Sequence, residues 1–238
     1  MRITSLFAAL SAVSLIACGR ERAPASAQTA ESTVVATITS SEARTNLFSN
    51  EYVEVFTITL GPGKQLPPHP GGARAIYALS DYTVRLTQNG ETTEQSWKIG
   101  EAHAHGAGEH SLENIGTTEA KLLVVMRTGQ TLSPSGVTLT PPKTTPSGSG
   151  PSKMLLSNDD FAVAEVRLPA GATLPRHPGL ARIVYSLSDY TISYTSNDLP
   201  AKSQSFTTGE THWHEADEHV ITNTGATEAR FMMVQFKR

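Results

Sequence analysis

Histidine is the residue whose distribution in this chain most directly suggests chemistry. The stretches GEAHAHGAGEH (100–110) and GETHWHEADEH (209–219) carry a glycine, a glutamate and three histidines at the same offsets. One further histidine precedes each stretch, so the eight histidines of the chain form two matching sets of four. The sets are His69, His103, His105 and His110, and His177, His212, His214 and His219.

Each set has the composition of a candidate metal site. Two of its histidines stand two residues apart, and strand residues at that spacing point to the same face, about 6.5–7 Å apart. A third histidine follows a short turn, so strand alternation does not predict where it points. Imidazole ligands without thiolates suit Zn, Cu, Fe, Ni or Mn. Two interpretations stay open: the histidines bind one divalent transition metal per set, or they are hydrogen-bonded core residues.

The histidines belong to a longer internal repeat. GKQLPPHPGGARAIYALSDYT (63–83) aligns without a gap with GATLPRHPGLARIVYSLSDYT (171–191), with about two positions in three identical. Both copies contain short runs rich in β-branched and aromatic residues, such as VEVFTITL, RAIYAL, YTVRLTQ and KLLVVM, separated by Gly, Pro and Asn. Neither copy shows a sustained helical period. Many short strands with turns predict a barrel or sandwich, and closure removes exposed sheet edges.

The histidine stretches resemble the second conserved motif of the cupins, G-x5-P-x-G-x2-H-x3-N. Gly100, Gly108, His110 and Asn114 match it with one residue fewer before the histidine. The second copy lacks the middle glycine. It retains Gly209, His219 and Asn223. The chain therefore resembles a two-domain cupin (bicupin), which implies an all-β fold of two tandem cupin-type jelly-roll β-barrels and an inward-facing His110 and His219.

The first cupin motif, G-x5-H-x-H-x3–4-E-x6-G, is only half present. If the remaining histidine of each copy is the second of the motif, the glutamate position falls on Arg74 and Arg182. A buried arginine needs an anion, either internal or from a ligand. The arginines are thus equally candidates for binding a carboxylate, phosphate or sugar acid. The alternative is that they are exposed. The candidate internal partners are Glu101, Glu109, Glu210 and Glu218.

Other repeated residues are predicted to serve structure. Asp81 and Asp189 suit a turn between strands, and Asn114 and Asn223 are expected to bond backbone groups near a bend. Trp213 is expected in the core or at an interface.

The N-terminus predicts export. MRITSLFAALSAVSLIAC has one early cation, a short apolar run and small residues, which is typical of a secretory signal. Its end, residues 15–18, resembles a bacterial lipobox, which implies cleavage before Cys18 and acylation of that residue. Cys18 is the only cysteine, and several acyl chains anchor a protein stably. By the same resemblance, Gly19 implies the outer membrane, facing the periplasm. The lipid bilayer is then a partner through acylated Cys18.

Composition and charge narrow the function further. The net charge of -3 and pI of about 6.2 give no electrostatic case for nucleic acid.

Stretches rich in small polar residues and proline separate the patterned regions. The predicted organisation is a lipoprotein signal peptide (1–17), a flexible tether (18–44), a cupin-like barrel (45–128), a Pro/Ser/Gly-rich linker (129–153) and a second cupin-like barrel (154–238).

We therefore predict a membrane-anchored periplasmic bicupin lipoprotein that binds a small molecule or metal ion in its barrels. One alternative is a metal-dependent cupin enzyme, an oxygenase, isomerase or lyase acting on a small organic substrate. A second is a structural or assembly lipoprotein with vestigial barrels. Because one fold hosts all of these roles, the sequence does not decide whether the chain is an enzyme, and it identifies no catalytic residue.

Overall fold

The computed structural model of the chain describes residues 36–37, 39–132 and 152–237. Cys18, the signal segment, most of the predicted tether and most of the predicted linker lie outside these residues. The described residues form nineteen strands and one short helix, α1 (Ser40–Ala43), which Thr39 caps through a hydrogen bond from the Glu42 backbone N–H. The predicted all-β class is confirmed. None of the described helices has the length and apolarity needed to cross a membrane.

The strands divide between the two repeats. Those of the first are β1 (Ala36–Thr37), β2 (Arg44–Ser49), β3 (Val53–Leu60), β4 (Lys64–Gly71), β5 (Arg74–Ala78), β6 (Tyr82–Gln88), β7 (Glu91–Trp97), β8 (Ala102–His105), β9 (Gly108–Asn114) and β10 (Ala120–Arg127). Those of the second are β11 (Ser152–Ser157), β12 (Phe161–Leu168), β13 (Thr173–Gly179), β14 (Arg182–Ser186), β15 (Tyr190–Ser196), β16 (Lys202–Phe206), β17 (Thr211–His214), β18 (Asp217–Asn223) and β19 (Ala229–Phe236).

Each repeat folds into two packed sheets, and the strand order matches between the repeats except that β1 has no counterpart among the described residues of the second. In the first repeat the sheets are β1-β4-β9-β6-β7 and β2-β3-β10-β5-β8. In the second they are β13-β18-β15-β16 and β11-β12-β19-β14-β17. All sheet neighbours are antiparallel except that β1 pairs with β4 in parallel, and the central strands of each sheet pair with strands distant in sequence, whereas β2-β3, β6-β7, β11-β12 and β15-β16 are consecutive. This interleaved order is that of a jelly roll, so the prediction of two tandem jelly-roll barrels is confirmed.

Strands β3, β5 and β10 are buried on both faces. Along β3, Phe56, Ile58 and Leu60 point into the first barrel, whereas Val53 and Val55 pack against the second barrel. Successive strand residues point to opposite faces, so one strand contributes to two cores. This double burial explains why β10 contains the continuous apolar run LLVVM rather than an alternating pattern.

The two barrels share one apolar core. It joins side chains of β3, β5 and β10 to those of β12, β14 and β19, and its fully buried members include Leu123, Val163 and Met232. At its border the ring of Trp213 lies 6.0 Å from that of Tyr52 in the first barrel and 5.6 Å from that of Phe236. Trp213 therefore lies at the interface between the barrels.

Two buried asparagines fix the turn between the last two strands of each barrel. Asn114 donates hydrogen bonds of 2.8 Å to the carbonyls of Leu60 and Thr118, and its oxygen accepts one of 3.0 Å from the Gly116 N–H. Asn223 makes the equivalent three contacts in the second barrel. The predicted backbone role of these residues is thus observed, and it holds β9 and β18 in the register that places their histidines.

Candidate functional site

Each barrel encloses one cavity lined by its four histidines and its repeated arginine. The cavity is about 110 Å³ in the first barrel and about 290 Å³ in the second. Strand pairing explains the assembly, because His69 lies opposite His110 between β4 and β9, and Arg74 lies opposite His105 between β5 and β8. The same pairs recur in the second barrel. The structure therefore brings together all ten residues that the sequence singled out for metal or ligand binding.

The imidazoles of each set lie close together and against aromatic rings. In the first barrel the ring centroids of His69 and His110 are 4.2 Å apart, and those of His103 and His105 are 5.1 Å apart. Trp97 stacks on His103 at 3.9 Å. The second barrel repeats this pattern, with Phe206 stacked on His212 at 4.3 Å. Aromatic packing therefore fixes the orientation of His103 and His212.

A glycine makes room for the inward-facing histidine. A Cβ atom on Gly71 would lie 2.6 Å from Cε1 of His110, and one on Gly179 would lie 2.7 Å from Cε1 of His219. Such contacts are too short for any side chain, so the imidazole requires glycine at this position. These glycines stand two residues after His69 and His177, where one frame of the first cupin motif has a histidine. The loss of that histidine is therefore coupled to the position of the remaining imidazoles.

Arg74 is a buried cation without an acidic partner. It is 4% exposed, and its Nη1 donates two hydrogen bonds of 3.3 Å to the carbonyls of Gly72 and Gly106. Among the described residues no carboxylate forms an ion pair with it, and its Nη2 and Nε have no acceptor. Burial lowers the pKa of Arg74 to about 10. The interpretation of Arg74 as an exposed strand residue is therefore wrong.

Arg182 is equally buried, at 2% exposure, but it has an acid beside it. Its Nη2 lies 3.0 Å from Oδ1 of Asp217 and donates a 2.7 Å hydrogen bond to the Tyr194 hydroxyl. Its Nη1 donates to the carbonyls of Leu180 and Glu215. Every terminal nitrogen of Arg182 is therefore used within the protein, and this arginine is also not an exposed strand residue.

The internal partners predicted for the arginines were wrong. Glu101 accepts a hydrogen bond from the Lys98 backbone N–H, and Glu210 accepts one from the Thr207 N–H. The acid that does contact an arginine, Asp217, was missed because it occurs in one copy only. Alignment of the copies places it opposite Gly108, and this unmatched acid within the histidine stretch was the signal available in the sequence.

Asp217 is ionised and strongly anchored. Burial alone would raise its pKa. Hydrogen bonds with His219, Ser196 and Tyr194 and the charge of Arg182 outweigh burial and lower the pKa below its ordinary value. Both Tyr194 and Ser196 donate to Oδ2 at 2.6 Å, and Nδ1 of His219 lies 3.0 Å from Oδ1. The second barrel thus contains a neutralised ion pair inside a complete hydrogen-bond network.

Burial favours the uncharged form of the more deeply buried imidazoles. It lowers the pKa of His103 to about 3, with smaller contributions from His105 and Arg74. The pKa values of His105 and His110 fall to about 4 for the same first reason, and the charge of Arg74 lowers both further. In the second barrel burial lowers the pKa of His212 to about 4 and that of His214 to about 3. These rings therefore act as neutral hydrogen-bonding groups.

The donor set does not fit a resident divalent metal as it stands. No group of three His, Cys, Asp or Glu side chains within the described part of the chain has the arrangement of a metal site. A guanidinium faces the imidazoles in both barrels, and Nη2 of Arg182 lies 3.3 Å from Nδ1 of His219. A fixed positive charge at that distance opposes a second cation. The cavity chemistry of the first barrel instead favours an anion.

The sequence matches no family model and no curated protein. Several solved structures, in contrast, share its fold. One is a cupin 2 conserved barrel domain protein from Leptotrichia buccalis, with 14% identity, 82% of this chain and 88% of that chain covered and a TM-score of 0.50. AerE from Microcystis aeruginosa shows 14% identity, coverage of 82% and 97% and a TM-score of 0.57.

A variant of oxalate decarboxylase from Bacillus subtilis is similar at 15% identity, with 82% of this chain and 75% of that chain covered and a TM-score of 0.60. The same Bacillus subtilis enzyme contains Mn(II) centres. At these identities the likeness shows the fold alone, and it agrees with the jelly-roll strand order.

Proposed function

We propose that this chain, which has the cupin fold in two tandem barrels, is a membrane-anchored periplasmic lipoprotein whose first barrel binds a small organic anion, a mono- or dicarboxylate. The observation that carries the proposal is Arg74, a buried guanidinium with no acid beside it in the described residues and with Nη2 and Nε unbonded. A buried charge is costly unless it is paired. A bound carboxylate would supply the missing partner.

The surroundings of Arg74 suit a carboxylate in three respects. A guanidinium offers parallel N–H groups that a carboxylate accepts in a bidentate manner. The neutral imidazole of His105 lines the same cavity and can supply a further hydrogen-bond donor, whereas His110 donates its Nδ1–H to the Gly108 carbonyl. The walls are otherwise apolar, formed by side chains such as Phe56 and Ile76, and an apolar pocket with a few convergent polar groups is typical of ligand sites.

The size of the first cavity limits the ligand. Its volume of about 110 Å³ is less than half of the about 290 Å³ of the second cavity. The smaller first cavity therefore favours a carboxylate with a few heavy atoms over a bulkier anion such as a sugar acid. The name of oxalate decarboxylase, one of the structures with this fold, adds oxalate to the ligands worth testing.

The test is a calorimetric titration of the full chain in detergent with acetate, oxalate and malonate. We expect one bound anion per chain, and we expect Arg74→Met to weaken binding by roughly thirtyfold or more, because a buried charge pair is lost. Arg85→Met is the matched control, since Arg85 is a half-exposed arginine that pairs with Glu94 and Glu113 outside the cavity. No binding of any of the three anions, or equal loss in both variants, would contradict the proposal.

A metal-dependent cupin enzyme is the second candidate. The observation that favours it is that Nδ1 of His103 and Nδ1 of His212 are buried and have no hydrogen-bond partner in the described residues. A divalent transition metal in each barrel would use such nitrogens, after the imidazoles rearrange. The test is the metal content of untagged protein after exposure to Mn²⁺, Fe²⁺ and Zn²⁺. Less than about 0.1 ion per chain would eliminate this candidate.

The anchoring part of the proposal rests on the sequence, because Cys18 lies outside the described residues. Cys18→Ser should move the protein from the membrane fraction to the soluble periplasmic fraction in a bacterial host. Retention in the outer membrane would contradict lipid anchoring. A protein that stays anchored but responds to no ligand or metal would instead support a structural role with vestigial barrels.

A further inference from the structure

The two barrels differ most at the arginine that they share. Alignment of the repeats places Asp217, Tyr194 and Ser196 of the second barrel opposite residues that carry no charge in the first. Those residues are Gly108, Leu86 and Gln88. The anion that neutralises Arg182 is therefore built into the second barrel, whereas the first barrel has nothing equivalent.

The side chains at the mouths of the two cavities also differ in size and charge. Arg44 lines the first cavity, and its guanidinium pairs with Glu54 at 2.7 Å and lies 3.7 Å from the ring centre of Phe56. The register of the outer strands places Ser152 and Ala164 at the positions of Arg44 and Phe56 in the second barrel. Replacement of two large side chains by small ones contributes to the larger second cavity of about 290 Å³.

The interior of the second cavity carries no net charge. Arg182 and Asp217 cancel, because the guanidinium Nη2 lies 3.0 Å from the carboxylate Oδ1. A carboxylate entering here would meet the Asp217 carboxylate, and a cation would meet Arg182. The remaining lining is largely apolar and aromatic, with side chains such as Tyr190, Phe231 and Met233.

We propose that the barrels have separate specificities, and that the second barrel binds an uncharged organic molecule with an apolar body, larger than the anion of the first. The proposal rests on the proposed function, because it contrasts with the anion site of the first barrel. Asp217 is the residue that sets the difference, since it occupies the guanidinium face that a carboxylate ligand would need. His212 and His214 supply hydrogen bonds to the polar end of the ligand.

Methionine methyl groups report on the two cavities separately. Met126 lines the first cavity, and Met154 and Met233 line the second. Met232 is fully buried in the core between the barrels and serves as an internal reference. Nuclear magnetic resonance of the full chain in detergent, labelled with ¹³C at the methionine methyls, can therefore follow a ligand in each barrel.

The probes are benzamide and benzoate, which share their shape and differ in charge. In the wild-type chain benzamide should shift the Met154 and Met233 signals, with affinity roughly ten times that of benzoate or more. In Asp217→Asn the order should reverse, because Arg182 then lacks its internal anion. Tyr194→Phe keeps the ion pair and should retain the preference for the amide.

Separate outcomes test the two proposals. Acetate should shift the Met126 signal in the wild type and in every second-barrel variant. If acetate does not shift this signal, the proposed anion site of the first barrel is contradicted, and the assignment of the second barrel is unaffected. Equal affinity of benzamide and benzoate at the second barrel, or binding of neither, would overturn the assignment of an uncharged ligand. The wild-type comparison needs no variant, so it decides the question even if Asp217→Asn does not fold.

Discussion

Arg74 and Arg182 occupy equivalent positions, yet their removal should have opposite effects on stability. Arg182→Met leaves Asp217 buried without its cation, and breaking a buried ion pair from one side typically costs about 3–5 kcal/mol. Arg74→Met removes a buried charge that has no acidic partner, so we expect unchanged or increased stability. The free energy of unfolding by urea, measured in ligand-free full chain, checks both.

A double variant controls for packing at these sites. Arg182→Met combined with Asp217→Leu replaces the whole ion pair by apolar groups and should recover most of the lost stability. A loss of the same size in Arg74→Met and Arg182→Met would contradict the contrast between the barrels.

The buried histidines predict that acid destabilises the protein. Burial lowers the pKa of His103 to about 3, whereas an exposed imidazole has a pKa near 6.5. Between these values the unfolded state binds a proton that the folded state does not, so the free energy of unfolding falls as the pH decreases from about 6.5. The slope is about 1.4 kcal/mol per pH unit for one such residue.

His103→Phe tests this dependence, because a phenyl ring preserves the stacking on Trp97. The loss of unfolding free energy between pH 7 and pH 5 should be about 1–2 kcal/mol smaller in the variant than in the wild type. An identical pH dependence in the two proteins would show that His103 titrates normally in the folded state.

For individual residues, the sequence predicted which side chains line the cavities but not which charged groups pair with one another. The repeat itself marked the histidines and arginines. The pairing of Arg182 depends on Asp217 at the start of β18 and on two donors of β15. Such contacts form only when distant strands lie side by side, so composition and spacing did not reveal them.

Substitution of a turn asparagine should destabilise the protein, because its side chain connects neighbouring strands. Asn114 joins the end of β9 to β3 and to the following turn through three hydrogen bonds. Asn114→Ala removes the donor to the Leu60 and Thr118 carbonyls, whereas the Gly116 N–H keeps its hydrogen bond to the Thr83 carbonyl, and one unpaired buried group typically costs about 1–3 kcal/mol. We therefore expect a loss of at least about 2 kcal/mol in thermal or urea unfolding, with weaker anion binding because β9 carries His110.

Asn46→Ala provides the comparison, since Asn46 is exposed on β2 and its side chain accepts a hydrogen bond from the Arg44 guanidinium. Its unfolding free energy should change by less than about 0.5 kcal/mol. Equal losses at the two asparagines would contradict the role assigned to the turn.

Strand positions were predictable where apolar patterning was strong and not where proline dominates. VEVFTITL and YTVRLTQ coincide with β3 and β6. The segment KQLPPHPG gave no strand signal, yet it forms β4. Proline cannot donate a ladder hydrogen bond and is tolerated at bulges, and the β4–β9 pairing shifts its register between Leu66 and His69. The strand character of this segment is therefore evident only from its pairing with β9.

At the scale of the whole molecule, the shared core predicts that the two barrels unfold together. The chain has two tryptophans, Trp97 inside the first barrel and Trp213 at the interface. Single-tryptophan variants, Trp97→Phe and Trp213→Phe, should therefore each show one fluorescence transition in urea. Within either variant, its midpoint should agree with that followed by circular dichroism. A separate transition for each barrel would contradict a common core.

The repeat in the sequence predicted two barrels, and the structure has them. The packing of the two barrels against each other was not predicted, because the sequence of an apolar strand face does not show which other face will cover it. The apolar run LLVVM of β10 contained the signal, since a strand that covers only one core alternates.

The central claim, that Arg74 holds a small carboxylate in the first barrel, is tested most directly by a crystal structure of the full chain grown with malonate. We predict malonate in the first cavity, with a carboxylate oxygen within about 3 Å of Arg74 Nη2, and none in contact with Arg182. Malonate bound to Arg182 instead, or an internal carboxylate of the protein paired with Arg74 in that structure, would contradict the account.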